Sequence, residues 1–362
     1  VPFCFADSAK RPHPGRIEPD WGHAIMENDF RDQVVVITGA SSGIGKATAI
    51  EFAQRGADLV LAARREFALE KTARECESYG VRTVVVPTDV SDENAVQELA
   101  DRAMLEFGHI DIWINNAGVY MMGEIKDTPV DSMRRLFDVN YFGMVHGCKA
   151  VLPYMLERGH GQIINTGSQA GKMAYREAGT YCASKFAMTA FTDALRQELY
   201  GTGVNISLVM PNSTDTPLFH YSANFAGREI KPMEPVSPAQ DVADLFIRLA
   251  TTKERESYVT TFPKALAAMH AVAPDLHDRL IAKQVEKKHF KDEPAEPTQG
   301  NLFHADPAHT GISGGWIAPD KNDRAKNVGI VAALAIPLIV GFLTWRRFSR
   351  EDYPTADFQR AA

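Results

Sequence analysis

Thr38-Gly39-Ala40-Ser41-Ser42-Gly43-Ile44-Gly45 follows an apolar run at 34–37 and opens a helical pattern at Gly43. A strand that feeds a helix through a glycine-rich turn aims unpaired backbone N–H groups and the positive end of the helix dipole at one spot. That spot suits a pyrophosphate. The spacing is G-x3-G-x-G, which is not the G-x-G-x-x-G dinucleotide fingerprint, so the octapeptide alone leaves an ordinary glycine turn open. Gly39, Ser41, Ser42, Gly43, Ile44 and Gly45 are the candidate phosphate contacts.

Outward from this turn the chain alternates short β-branched runs with helical patterns, the signature of βαβ units around a parallel sheet buried on both faces. Strands are expected at 34–38, 58–63, 82–87, 110–115, 161–166, 205–210 and 258–262, with helices at 44–55, 67–79, 93–107, 130–158, 178–200 and 238–251. Seven strands joined by right-handed crossovers make a doubly wound, Rossmann-like α/β fold. Such sheets bind ligands outside the carboxyl ends of their strands, so the loops there hold the chemistry.

After the second strand stands Ala63-Arg64-Arg65. A carboxylate there would bond ribose hydroxyls and repel a 2'-phosphate, whereas two guanidiniums offer it forked donors, which favours NADP(H) over NAD. After the third strand, Asp89 and Val90 offer a carboxylate and backbone to an adenine amino group. After the fourth, Asn115-Asn116-Ala117-Gly118 places two amides and two small residues where a ribose approaches. The fifth strand ends in Thr166-Gly167-Ser168, and Tyr181 and Lys185 follow at i and i+4 of a helical pattern, on one helix face. An ammonium beside a phenol lowers the phenol's pKa from about 10 towards the working pH, which equips a tyrosine for acid–base work.

Together these motifs resemble the short-chain dehydrogenase/reductases over residues 29–263: T-G-x3-G-I-G at 38–45, N-N-A-G at 115–118, Val139-Asn140, Gly167-Ser168 and Y-x3-K at 181–185. The resemblance implies that Ser168 orients a substrate carbonyl or hydroxyl and that Tyr181 transfers the proton. It also implies that Lys185 holds the nicotinamide ribose and tunes Tyr181, and that Asn140 keeps a water in a proton relay. The family's next motif, P-G-x3-T, reads here Pro211-Asn212-Ser213-Thr214-Asp215-Thr216. Pro211, Thr214 and Thr216 join the cofactor set, Thr216 towards a carboxamide or phosphate. Asn212 in place of glycine is expected to keep the turn because asparagine tolerates the left-handed conformation. Residues 217–236 fall where the family places its substrate loop. Their Leu218, Phe219, Tyr221, Phe225 and Met233 suggest an apolar carbonyl or alcohol substrate. The implied activity is hydride transfer between NADP(H) and that substrate, by a homodimer or homotetramer built on the helices beginning near 130 and 178. A nucleotide-sensing protein without turnover and a membrane-tethered scaffold are the rival readings.

A chain of 362 residues with 45% hydrophobic and 23% charged residues is globular, and a net charge of −7 argues against nucleic acid as a partner. Cys4, Cys76, Cys148 and Cys182 show neither metal-ligand nor disulfide-framework spacing, so no metal is expected and a reducing compartment fits. Residues 1–28 are expected to be an extension without fixed structure. Residues 264–290 form an amphipathic pattern with Leu266, Met269, Leu276, Leu280 and Ile281 as its apolar stripe and Pro274 as an interruption. Pro, Gly, Asp and His dominate 291–327, which reads as a linker. Residues 328–345 carry no charge and, at about 1.5 Å per residue, would span roughly 27 Å as a helix. Lys326 ahead of them and Trp345-Arg346-Arg347 at their end read as interface anchors of a transmembrane helix, with 346–362 as a tail. Cofactor supply then places a membrane-anchored catalytic domain in the cytoplasm.

Overall fold

The computed structural model describes residues 29–260 and 272–317. Numbering only the strands of the main sheet, these are β1 (Val34–Thr38), β2 (Asp58–Ala63), β3 (Thr83–Pro87), β4 (Ile112–Asn115), β5 (Gly161–Thr166), β6 (Val204–Met210) and β7 (Glu256–Tyr258). They pair in parallel in the order β7-β6-β5-β4-β1-β2-β3. The order reverses between β1 and β4, and that switch point opens a crevice above the glycine turn. The last strand lies two residues earlier than its expected start.

The helices are α1 (Gly43–Gln54), α2 (Glu66–Glu77), α3 (Glu93–Phe107), α4 (Val130–Phe137), α5 (Gly143–Arg158), α6 (Gly179–Glu198), α7 (Ala239–Thr252) and α8 (Pro274–Lys288). Period-two alternation along β1 divides the core: Val35 and Ile37 face Phe52, Leu69 and Phe246 on the α1–α2–α7 side. Val34 and Val36 face Trp113, Leu99 and Met155 on the α3–α5–α6 side. α3 starts where the Asp92 carboxylate accepts from Asn94 N–H at 2.9 Å, and it stops at Gly108, whose φ is 79°.

The expected helix over 130–158 is broken at one point. Residues Asp138–Phe142 form a π-helical turn between α4 and α5. Such turns insert one residue into the hydrogen-bond ladder and re-aim side chains, and Asn140 sits in this one. No periodicity argument detects it, because the apolar face continues across.

The C-terminal region differs most from expectation. Pro274 is the first residue of α8, not an interruption of it, since the first turn needs no N–H from that position. α8 buries His277, Ile281 and Val285, and leaves Leu276 and Leu280 about half exposed, so its inward face is not the stripe drawn from leucines alone. The described part of the expected linker lies packed on the domain. Strand Phe290–Pro294 pairs antiparallel with Arg228–Ile230, Asn224 bridges Thr298, and Leu302 is fully buried. Residues 1–28, Leu266, Met269 and the apolar stretch 328–345 lie outside the described residues. Among the described residues no helix is long and apolar enough to cross a membrane.

Candidate active site

Close backbone approach builds the floor of the crevice. Gly39 has φ 72°, and a Cβ on Gly45 would stand 2.3 Å from the Gly39 carbonyl oxygen, so the turn folds onto the start of α1 only with glycine at both places. The Thr38 hydroxyl receives the N–H groups of Asn116 at 3.0 Å and Ala117 at 3.1 Å, which ties the end of β1 to the loop after β4. The Asn116 side-chain amide donates in return to the Thr38 carbonyl at 2.9 Å.

The other wall comes from β5 and α6. Lys185 is 5% exposed, donates to the Thr166 carbonyl at 2.9 Å and lies 5.8 Å from the centre of the Tyr181 ring. Burial pulls its pKa down to about 8. Burial drives the Tyr181 phenol up to about 12, with the nearby Ser168 hydroxyl pulling the other way. Desolvation of the phenolate dominates, so in the protein by itself no lowering of Tyr181 by Lys185 stands out. Ser168, Tyr181 and Lys185 share one cleft, and Asn140 stands behind its wall. The Asn140 amide accepts from Val119 N–H at 2.8 Å and donates to the Val119 carbonyl at 3.0 Å and to the Ser184 hydroxyl at 3.3 Å. Ser184 in turn donates to the Tyr181 carbonyl at 2.7 Å. The Asn140 side chain thus braces the β4 loop against α6, and its two amide donors are spent there.

Every residue assigned above to cofactor binding lines this cleft, from Gly39, Ser41, Ser42, Gly43, Ile44 and Gly45 through Arg64, Arg65, Asp89 and Val90 to Asn116, Ala117, Gly118, Pro211, Thr214 and Thr216. Several are already engaged. Asp89 accepts from Arg135 at 2.6 Å and from the Ser91 hydroxyl at 2.8 Å. The Thr216 carbonyl accepts from the Trp316 indole at 3.0 Å. Asn212 does not take the expected left-handed turn: among the described residues only Asp32, Glu177 and Lys253 are non-glycines at positive φ. Its amide instead donates to the Pro235 carbonyl at 3.0 Å, which fixes the loop in another way.

A nicotinamide dinucleotide fits these residues. Ser42 makes no side-chain cap to α1 and no acidic residue stands in its first turn, so the N–H groups there that follow Gly43, whose own N–H meets the Gly311 carbonyl at 2.9 Å, are left to an anion. Thr166 Oγ1 and Asn212 Oδ1 are buried in the cleft lining without a partner among the described residues.

The far end of the cleft is apolar and was only partly legible in the sequence. Leu218, Phe219 and Met233 line it, joined by Tyr120, Tyr175, Ile281, Gln284 and His289, while Tyr221 lies at the opposite end beside Ser42, Arg64 and Arg65, and Phe225 packs into the main core. Tyr120 meets Tyr181 edge to face at 4.6 Å and donates its hydroxyl to His289 Nε2 at 2.6 Å. His289 Nδ1 donates to the Lys231 carbonyl, which assigns the neutral tautomer; burial holds its pKa down at about 4. No local pattern marks His289 or Tyr120, because they meet only through the return of a segment 169 residues downstream.

A crevice at the switch point of a doubly wound sheet, with a buried phenol and ammonium one helical turn apart, defines the class as dinucleotide-dependent oxidoreductases. The family is then shown by sequence: the short chain dehydrogenase model matches residues 33–225, and the chain belongs to that family. It is 32% identical over 329 residues to the uncharacterized oxidoreductase YxnA of Bacillus subtilis, covering 89% of this chain and 92% of that protein. A short chain dehydrogenase/reductase from Burkholderia phymatum, solved in complex with NAD, superposes with a TM-score of 0.62 at 28% identity, covering 75% of this chain and 99% of that one. An alcohol dehydrogenase from Thermococcus sibiricus, complexed with 5-hydroxy-NADP, gives 0.57 at 27% identity, covering 62% and 95%. The protein is an oxidoreductase of the short-chain type, and the fold supports a nicotinamide cofactor.

Proposed function

We propose that this enzyme passes hydride between NADP(H) and the carbonyl or secondary alcohol carbon of an apolar substrate, with reduction as its cellular direction. The observation that carries this reading is the placement of Tyr181 in one cleft with Ser168 and Lys185, where the glycine-floored crevice meets the aromatic end of the cleft. When bound, the nicotinamide supplies or accepts the hydride. Tyr181, whose pKa burial raises to about 12, keeps its proton at neutral pH and is poised to give it to a developing alkoxide. Ser168 orients the substrate oxygen and stabilises charge on it. Lys185 offers an ammonium to the ribose, and Asn140 holds the loop and helix that fix the distance between these groups. Arg64 and Arg65, after an uncharged Ala63, support NADP(H) over NAD. A panel of lipophilic ketones and alcohols followed by NADPH absorbance tests the reading, with Tyr181→Phe as control. Cofactor binding with no turnover on any of them would instead favour a nucleotide-sensing protein.

Two further parts of the reading concern assembly. Exposed Val130, Phe142, Leu156 and Phe186 on α4–α5 and α6 support self-association into a homodimer or homotetramer. The uncharged stretch 328–345 supports a membrane anchor with the catalytic domain in the cytoplasm.

A further inference from the structure

We propose that residues 299–316 form a strap that competes within the chain for the donors of a cofactor 2'-phosphate, its main-chain carbonyls occupying Arg64 and Arg65 until the phosphate takes them. The proposal rests on the NADP(H) reading above and adds how access to that site is controlled.

The contacts are specific. Arg64 donates to the carbonyls of Asn301 at 2.7 Å and Leu302 at 3.3 Å. Arg65 donates to those of Asp306 at 2.6 Å and His309 at 2.9 Å, and reaches back to the hydroxyls of Ser41 and Ser42. Arg135 adds a bond to the Leu302 carbonyl at 2.9 Å.

The charges leave this arrangement incomplete. Three guanidiniums converge on a cleft wall whose Asp89 is paired with Arg135 and whose Asp306 is turned to His309 and the Ala308 N–H. Among the described residues neither Arg64 nor Arg65 has a carboxylate within ion-pair distance. Burial pulls the Arg64 pKa down, while the charge of Asp89 works against the fall. A phosphate dianion is a stronger acceptor for a guanidinium fork than a neutral carbonyl, so it can displace one.

The strap is held at its ends and light between them. At one end Leu302 is fully buried in the core beside α4. At the other the Asp215 carboxylate accepts from the Ser313 hydroxyl at 2.6 Å, Gly314 N–H at 3.0 Å and Trp316 N–H at 2.8 Å, and Trp316 stacks on His220 at 4.4 Å. From 303 to 310, the stretch that carries the Arg65 contacts, no residue is buried, so lifting it exposes no core. The Gly311 carbonyl also accepts from Gly43 N–H at 2.9 Å. That contact faces the pyrophosphate, which NADH and NADPH share, so discrimination between them falls to the arginines.

The test is hydrogen–deuterium exchange on the full chain with saturating NADPH or NADH, beside a fluorescence titration of each nucleotide. NADPH is expected to speed exchange of the 303–310 amides, and NADH, which shares only the pyrophosphate contact at Gly43, to leave that stretch unchanged. Loosening the distal anchor with Trp316→Ala and Ser313→Ala, both outside the catalytic and cofactor sets, should tighten NADPH about tenfold or more and NADH by less than about twofold, the scale of one charge-assisted bond. Slower strap exchange with NADPH would make the segment a lid that closes on the cofactor, and would overturn the proposal. NADPH binding with unchanged exchange would overturn it too, leaving the cofactor reading intact. If NADPH fails to bind while NADH binds, the cofactor reading falls and takes the proposal with it.

Discussion

Tyr181 and Lys185 are driven away from their ordinary pKa values by the same burial, the phenol upward to about 12 and the ammonium downward to about 8. Tyr181→Phe keeps the ring and removes the proton, so turnover should fall by about 10²–10⁴-fold, the usual worth of a positioned acid, while NADPH affinity stays nearly unchanged. Steady-state kinetics and a nucleotide titration on the same preparation check both halves; retained turnover would remove Tyr181 from the mechanism. Lys185→Ala should damage affinity and turnover together. His289 gives a pH prediction of definite sign. Its pKa is about 4 in the fold against 6.5 as the reference, so between these values the unfolded chain binds more protons and stability falls as pH falls. Above 6.5 its contribution is fully present. Below about 4 roughly 3 kcal/mol of it is gone, since each tenfold difference in proton affinity between the folded and unfolded chain is worth about 1.36 kcal/mol. Thermal midpoints from pH 4 to 7 should show this slope in the wild type and lose most of it in His289→Gln, whose amide keeps hydrogen-bonding capacity without a titration. An equal slope in both proteins would assign the acid sensitivity to other groups.

At the scale of elements, what holds α6 to the sheet is a buried chain of polar side chains beneath the site. Trp113 donates to Asn115 at 2.8 Å, Asn115 to Asn165 at 2.9 Å and Asn165 to Thr192 at 2.9 Å, crossing from β4 through β5 to the helix that carries Tyr181 and Lys185. Asn165→Ala leaves the Asn115 donor and the Thr192 hydroxyl each short of a partner in a dry interior, so it should cost about 1–3 kcal/mol, measured by denaturant unfolding. An unchanged midpoint would mean that the two neighbours re-pair. α5 is seated as closely. A Cβ on Gly147 would lie 2.1 Å from Asn115 Oδ1, so Gly147→Ala strains the same network from the other side. This is also where the reach of the sequence is clearest. The strands of the sheet and most of its helices were legible because burial on both faces writes continuous β-branched runs and because α1–α7 keep a helical apolar period. The motif residues of the cleft were legible because each sits at the carboxyl end of a strand or on one helix face. The π turn at 138–142 was not, since it shifts the ladder without changing composition. The paired strands Met121–Gly123 and Ala223–Phe225 are too short to show alternation, and their pairing is set by a contact about a hundred residues apart.

Over the whole molecule, the segment that composition marks as a linker is part of the catalytic unit. Polar, Gly- and Pro-rich stretches lack an apolar period whether they hang in solvent or lie on a surface, so the difference rests on long-range contacts: Leu302 buried in the core, and Asp215 holding Ser313, Gly314 and Trp316. That moves the functional boundary of the protein from residue 290 to at least 317 and separates two truncations that the sequence alone would treat alike. Ending the chain at residue 327 removes the uncharged stretch 328–345 and leaves the packed segment whole. Turnover and thermal midpoint should then match the full chain, while the protein moves from the membrane fraction to the high-speed supernatant. Ending it at residue 297 removes the Leu302 side chain, whose burial is worth about 1.5–3 kcal/mol, and strips Arg64 and Arg65 of their carbonyl partners. The stability of that shorter form should fall by a comparable amount, and its midpoint with it. Expression of all three forms, fractionation by sedimentation and parallel melting curves read both effects. Equal midpoints for the 297 and 327 forms would show that the segment contributes nothing to the stability of the domain. A full chain that stays in the supernatant would remove the anchor from the reading while leaving the catalytic unit, with its packed segment, unaffected.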